Sequence, residues 1–180
     1  MLVPRPSRSD NPGMKSLLIV WCSTTGGTRQ MAEAAERGAR GVLGPGDPVT
    51  VQRTAAAEAG PADALAADGF VFAMPEHLAS MAGPMKDFFD RIYYPCLDQV
   101  NGRPYALLVC AGSDGTGTIR QAERIATGLR LKRVADPVRV ITNAQTPEAI
   151  LAPKTIPGED LDRCAEAGAR LAAGLAAGVF

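Results

Sequence analysis

Three stretches of this chain are apolar without alternation: residues 16–21 (SLLIVW), 69–74 (GFVFAM) and 105–110 (YALLVC). A strand with one face in water alternates apolar and polar residues, whereas a strand covered on both faces reads as a continuous apolar run. Such strands belong in the middle of a sheet that carries a layer on each side. The segments between them supply those layers. After the first run, Met31, Ala34, Ala35, Gly38 and Val42 recur at helical spacing, with Gln30, Glu33, Arg37 and Arg40 on the other side. Parallel neighbours need a crossover, and right-handed crossovers place helices on both faces of the sheet. The expected fold class is therefore α/β, a three-layer sandwich around a parallel sheet.

The remaining elements fit that plan. Val49, Val51 and Arg53 alternate with Thr50 and Gln52 behind the turn cluster 44–48, which predicts an exposed edge strand. Residues 61–67 supply a short helix. Residues 84–94 supply a longer one, with proline near its first position and Met85, Phe88, Phe89 and Ile92 inward. Ile119, Ala122, Ile125, Ala126 and Leu129 mark another helix, residues 138–142 a fifth strand, and Leu161, Cys164, Ala165, Gly168, Leu171 and Leu175 a closing helix. A chain of 180 residues with 46% hydrophobic and 21% charged residues suits one ordinary globular domain, assigned to residues 15–180. Residues 1–14, rich in Pro, Ser and Arg and ending in a second methionine, read as a flexible leader, with Met14 a candidate start. The run ending at Cys22 is too short for a signal peptide and has Val20 and Trp21 where small residues are needed; no window reaches the roughly 18 apolar residues of a membrane span. Nineteen basic residues balance nineteen acidic ones, which gives no global attraction to nucleic acid or anionic membrane and none of the acidity of a carrier that docks by charge. Cys22, Cys96, Cys110 and Cys164 have no CxxC spacing, so reduced thiols in a cytoplasmic protein, and no structural metal, are expected.

In a sheet of this kind ligands bind at the carboxyl ends of the strands, near the point where strand order reverses. The loops after strands one, three and four are the places to look. The first is Ser23-Thr24-Thr25-Gly26-Gly27-Thr28, between a buried strand and the first turn of a helix. Two glycines let backbone N–H groups converge, hydroxyls add donors, and the positive end of the helix faces the same spot, so the loop suits an anion. It lacks the GxxxxGK[ST] of a nucleotide triphosphatase and the GxGxxG of a dinucleotide site. A response-regulator receiver is excluded because Met74 and Trp21-Cys22 stand where its carboxylates would be. A plain helix cap explains one hydroxyl but not several beside a diglycine.

The run Leu18-Ile19-Val20-Trp21-Cys22-Ser23-Thr24-Thr25-Gly26-Gly27-Thr28, followed by Met31-Ala32, resembles the flavodoxin phosphate-loop pattern S/T-x-T-G-x-T. Residues 74–91, with Pro75-Glu76-His77-Leu78-Ala79-Ser80 and then Gly83, Lys86 and Asp90, resemble the P-E-Y-N-x-S segment of NAD(P)H-dependent FMN reductases. Resemblance extends over about residues 16–142 and implies a flavodoxin-like sheet in the order 2-1-3-4-5. It also implies an FMN-dependent oxidoreductase that passes electrons from NAD(P)H through the flavin to a quinone, free flavin or similar small-molecule acceptor. Carried over residue by residue, it implies that Ser23, Thr25, Gly26, Gly27 and Thr28 hold the FMN phosphate without a cationic side chain. Pro75, Glu76, His77, Leu78, Ala79 and Ser80 would run along the ribityl chain and ring. Ala111, Gly112, Ser113, Gly115 and Gly117 would approach the pyrimidine edge. His77 and Leu78 replace the usual Tyr and Asn, which weakens ring stacking and keeps two other readings open: a non-enzymatic flavodoxin-type carrier, and a binding protein of the same fold without flavin.

No side chain is an obvious catalytic acid or base. His77, the sole histidine, either donates a hydrogen bond near the flavin or shapes its loop; Glu76 either contacts the cofactor or caps neighbouring backbone N–H groups. Asp87 and Arg91 are spaced as a local ion pair, Cys22 and Cys110 read as buried inert thiols, and Arg29 faces solvent on helical phase. Residues 143–158 are too long for a tight connection and either cover the site or meet another subunit. Phe88, Phe89, Ile92, Tyr93 and Tyr94 nearly encircle their helix, so a homodimer or homotetramer using that surface is expected.

Overall fold

The computed structural model describes residues 13–180, so the leader expected over residues 1–14 lies almost wholly outside the described residues. The first buried run becomes β1 (Lys15–Trp21), followed by α1 (Gly27–Gly41) and the edge strand β2 (Val49–Ala55). A short α2 (Pro61–Ala66) leads to β3 (Gly69–His77), which turns back on itself through β4 (Ser80–Met81) before α3 (Gly83–Cys96). Then come β5 (Pro104–Ala111), α4 (Thr116–Gly128), β6 (Lys132–Arg133), β7 (Val138–Ile141), α5 (Pro147–Leu151) and α6 (Gly158–Ala176). The parallel sheet runs β2-β1-β3-β5, and β6 and β7 share the outer edge of β5, one pairing its start and the other its end. The expected order 2-1-3-4-5 is thus present, with its last strand broken in two and an antiparallel hairpin, β3 to β4, added at the carboxyl edge.

Strand parity sorts the core into two layers. Leu17, Ile19, Val71, Ala73, Leu108 and Val140 point to the side of α1 and α6; Leu18, Val20, Phe70, Phe72, Met74 and Leu107 point to the side of α2, α3 and α4. A register slip of one residue would exchange the two sets, and since both faces are apolar the aromatic content decides which way round they sit. Phe72 packs against Phe89 with ring centroids 5.0 Å apart and against Phe70 at 5.4 Å. On the other face the layer is thin, because Ala34, Ala35, Ala39, Ala167 and Ala172 let α1 and α6 lie close to each other and to the sheet.

One expectation about α3 is corrected. Phe88, Phe89 and Ile92 are each no more than 2% exposed, so they join the Phe72 core rather than leaving surplus apolar surface. The loop before α2 covers the flank of the helix: Ala56 and Ala59 pack into the same core, and the Arg91 guanidinium donates to the carbonyls of both at 2.6 Å. Nor does this cluster lie under residues 143–158, which sit on the opposite face of the sheet through Ile156. Tyr94 alone of the five is exposed.

Candidate functional site

The loop between β1 and α1 is shaped by its glycines. Gly26 adopts a left-handed conformation at φ +86°, which a residue with a Cβ reaches only at a cost of about 1–2 kcal/mol, and its N–H donates to Ser23 Oγ at 3.1 Å. A Cβ at Gly27 would stand 3.0 Å from Cys110 Sγ and 3.3 Å from both Ile156 Cδ1 and Lys154 Cβ, so a side chain there would press β5 and the 154–156 segment away from the helix start. Thr28, one residue on, is 1% exposed, and its Oγ1 is buried without a hydrogen-bond partner. An orphan hydroxyl costs about 1–3 kcal/mol, and an oxyanion seated on the loop would relieve that cost. Together, the left-handed glycine, the close-packed helix start and the orphan donor fit a phosphate-bearing group.

The second loop is a hairpin under backbone strain. Glu76 pairs with Met81 and His77 with Ser80, so Leu78 and Ala79 form a two-residue turn, with φ of +51° and +60°. Both positions favour Asn or Gly in such a turn. Around the strained turn the chain is tied down from outside: Gln121 Oε1 accepts from Met81 N at 2.9 Å, and Gln121 Nε2 donates to Ser80 Oγ at 3.1 Å. His77 Nε2 and Thr24 Oγ1 share a hydrogen bond of 3.3 Å that bridges the two loops. Leu78 points fully into solvent.

Of the two readings of Glu76, the structure shows the cap. Its carboxylate accepts from Gly115 N at 2.9 Å, from Thr118 N at 3.4 Å and from Thr118 Oγ1 at 3.2 Å, and so fixes the first turn of α4 against β3. Gly117 lies in that turn, and a methyl group there would overlap the Ala79 carbonyl. Of the third loop, then, Gly117 serves close packing between α4 and the hairpin and Gly115, at φ +82°, packs against Arg139 and Ala111, whereas Ala111 and Gly112 reach the cavity. Ser113 is exposed beside them.

That cavity, of about 270 Å³, opens at the carboxyl edge, slightly below the roughly 300–1,000 Å³ of typical ligand sites. Thr24, Thr25, Pro75, Glu76, His77, Cys110, Ala111 and Gly112 form its inner wall; of the other expected site residues, Ser23, Gly26, Gly27, Thr28, Leu78, Ala79 and Ser80 do not line it. The outer wall was only half legible: Thr142, Ala144, Ile150, Leu151 and Lys154 come from residues 142–154, which cover the site. The Lys154 ammonium is spent on the carbonyls of Ala149, Ile150 and Ala152, at 2.6 to 3.0 Å. Gln30, expected on the outer face of its helix, lies instead under this segment. Burial pushes the Cys22 thiol up to about 11 and raises that of Cys110, so neither is a thiolate at neutral pH. Asp87 and Arg91 form the expected pair at 2.8 Å, and Arg29 is exposed.

The chain matches the family model of the NADPH-dependent FMN reductases over residues 14–146. It belongs to that family. Membership places it among flavin-binding oxidoreductases and flavodoxin-type proteins, and FMN is the cofactor that goes with it. A flavodoxin of Aquifex aeolicus is 30% identical over 104 residues, 58% of this chain; the match spans only 52% of that relative. Among solved structures, a flavodoxin from the domain Archaea superposes with a TM-score of 0.70 at 20% identity, covering 89% of this chain and 98% of that one. An oxidoreductase from Corynebacterium diphtheriae does so at 0.65 and 24%, covering 92% and 98%. At these identities the two structures speak for the flavodoxin-like fold alone. Among the described residues, no helix is long and apolar enough to cross a membrane.

Proposed function

We propose that the protein is an FMN-dependent oxidoreductase that takes electrons from NAD(P)H and delivers them to a small-molecule acceptor such as a quinone or free flavin. The observation that carries this reading is the orphan Thr28 hydroxyl two residues after a left-handed Gly26, at the switch point of a sheet whose chain belongs to the FMN reductase family. Ser23, Thr25, Gly26, Gly27 and Thr28 hold the phosphate through backbone and hydroxyl donors. Pro75, His77, Ala111 and Gly112 flank the ring, and Leu78 to Ser80 support the hairpin from outside. When bound, FMN supplies the two-electron redox chemistry. The protein places donor and acceptor against one site, and the net change consumes NAD(P)H, a proton and the quinone and yields NAD(P)+ and the hydroquinone. Four free cysteines suit a reducing compartment, and the cytoplasm is the proposed location.

Titration with FMN, followed by flavin fluorescence, tests the site. Thr28→Val should weaken FMN binding by about 1–3 kcal/mol by removing a donor to a charged group. The same change should leave the FMN-free protein at least as stable, because an orphan hydroxyl is exchanged for a methyl group. Gly26→Val should weaken binding comparably and destabilise the free protein as well, through left-handed strain. Unchanged FMN affinity in both variants would remove the loop from the site.

The Aquifex relative keeps a second reading in view, an electron carrier reduced by a partner protein. The balance of nineteen basic and nineteen acidic residues gives the chain none of the net acidity of a carrier that docks by overall charge. Stopped-flow mixing of the FMN-loaded protein with NADPH or NADH separates the two. Loss of the flavin's visible absorbance without any added reductase is the expected result, and a requirement for a reductase would favour the carrier.

A further inference from the structure

Gln30, in the first turn of α1, uses both ends of its amide. Its Nε2 donates to the Gly26 carbonyl at 3.0 Å and to the Lys154 carbonyl at 2.6 Å, and its Oε1 accepts from Ile156 N at 3.2 Å. The C=O of one residue and the N–H two residues on point to the same side of an extended chain, so the amide pairs with residues 154 and 156 as a neighbouring strand would. A further bond, from Lys154 N to the Thr25 carbonyl at 2.8 Å, laces the same segment directly to the phosphate loop. Ile156, 3% exposed, anchors it in the α1 and α6 layer. The Lys154 ammonium then ties the carbonyls of Ala149, Ile150 and Ala152 to this point, and with them Ile150 and Leu151, which stand half to three-quarters exposed at the cavity wall.

The strap, residues 143–157, lies beyond residue 146 for most of its length, where the family match ends. We propose that Gln30 is a positioning residue that fastens this strap to the phosphate loop, so that the cofactor's phosphate orders the strap and the strap retards release of the cofactor. The inference rests on the flavin reading. Its physical basis is that Gly26 O and Thr25 O, both in the loop, are bonded through Gln30 and Lys154 to the strap; whatever fixes the loop fixes the strap, and the reverse holds by linkage. The apolar wall of Ile150 and Leu151 moves with it, which gives the cavity one side that is hinged and one that is fixed.

The test uses full-length protein loaded with FMN and records the rate of flavin release after dilution, together with trypsin cleavage after Lys154. Gln30→Met, which keeps the length and loses donor and acceptor, should release FMN about tenfold faster and be nicked faster at the 154–155 bond. Gln30→Glu, which keeps the acceptor for Ile156 N, should fall between. Riboflavin, which lacks the phosphate, should leave Gln30→Met and the unaltered protein at the same rate, a result that a merely loosened fold would not give. Unchanged FMN release and nicking in Gln30→Met would overturn the proposal while leaving the flavin reading intact. Unaltered protein that takes up no FMN would overturn both. If Gln30→Met fails to fold, Gln30→Glu, which loses the donor to the Gly26 and Lys154 carbonyls, carries the test, and FMN release and nicking from it at the unaltered rate would overturn the proposal.

Discussion

Gly38→Ala or Gly168→Ala should each destabilise the protein by about 2–3 kcal/mol, the net of an overpacking cost of about 3–4 kcal/mol against helix backbone and a gain in helix propensity of roughly 1 kcal/mol. Helices α1 and α6 meet through these two glycines. A methyl group at Gly38 would overlap the Ala165 carbonyl oxygen and stand 2.7 Å from Ala165 Cα; one at Gly168 would overlap the Ala35 carbonyl oxygen and stand 2.9 Å from Ala35 Cα. Both obstacles are helix backbone, which cannot turn aside as a side chain can, so the helices must separate. At about 2–4 °C per kcal/mol for a chain of this size, the thermal midpoint should fall by roughly 4–12 °C. The double variant should lose less than the sum, because one separation of the helices makes room for both methyl groups. A midpoint within 1 °C of the parent for either single variant would show that the two helices are not in contact through these glycines, and additive losses would show that they yield independently.

The three-layer plan was legible because it follows from period alone, whereas the strand order came with the resemblance to flavodoxins. Leu17 to Val20, Phe70 to Met74 and Tyr105 to Val109 have no polar alternation, and that suffices to bury them on both faces. Period also misled. Five apolar residues in seven on α3 suggested a helix too greasy for its own core, but the count says nothing about which other segment of the chain lies across the flank. Here it is the 56–60 loop, drawn over by Arg91, and an arginine at i+4 from an aspartate looks in sequence like a surface pair.

The candidate site divides the same way. Its phosphate loop is local, the six residues Ser23 to Thr28 between a strand and the first turn of a helix, and local geometry is what Gly, Ser and Thr encode. Its outer wall is not local. Gln30 and Lys154 are 124 residues apart, and no periodicity relates a glutamine on the outer face of a helix to a loop near the far end of the chain. The one signal was indirect: residues 143–158 were too long for a tight connection and carried three prolines and an Ala-Ile-Leu patch. Glu76 shows a third case, in which the residue was identified and its role left open, because a carboxylate at the end of β3 can serve a ligand or a helix N-terminus equally well until the position of α4 is known.

That packing of α4 on the hairpin sets the second large expectation, the loss of flavin binding in Gly117→Ala. The new methyl group would overlap the Ala79 carbonyl oxygen and stand 3.2 Å from its carbon, and Ala79 has little freedom to retreat. It already sits at φ +60°, next to Leu78 at +51°, in a turn whose strain is about 1–2 kcal/mol per residue. The cheapest response is to release the turn, which gives up the Gln121 bonds to Met81 N and Ser80 Oγ and swings His77 away from Thr24. The inner wall of the cavity then opens, and FMN affinity should fall by tenfold or more, about 1.4 kcal/mol for each factor of ten. The opposite change tests the same strain from the other side. Ala79→Gly relieves the left-handed penalty but adds roughly 0.5–1 kcal/mol of unfolded-state entropy, so stability should rise by no more than about 1 kcal/mol while FMN affinity holds. If Gly117→Ala binds FMN as tightly as the parent, the hairpin is not a wall of the flavin site. If Ala79→Gly destabilises by more than 1 kcal/mol, the turn is not strained as its backbone angles say.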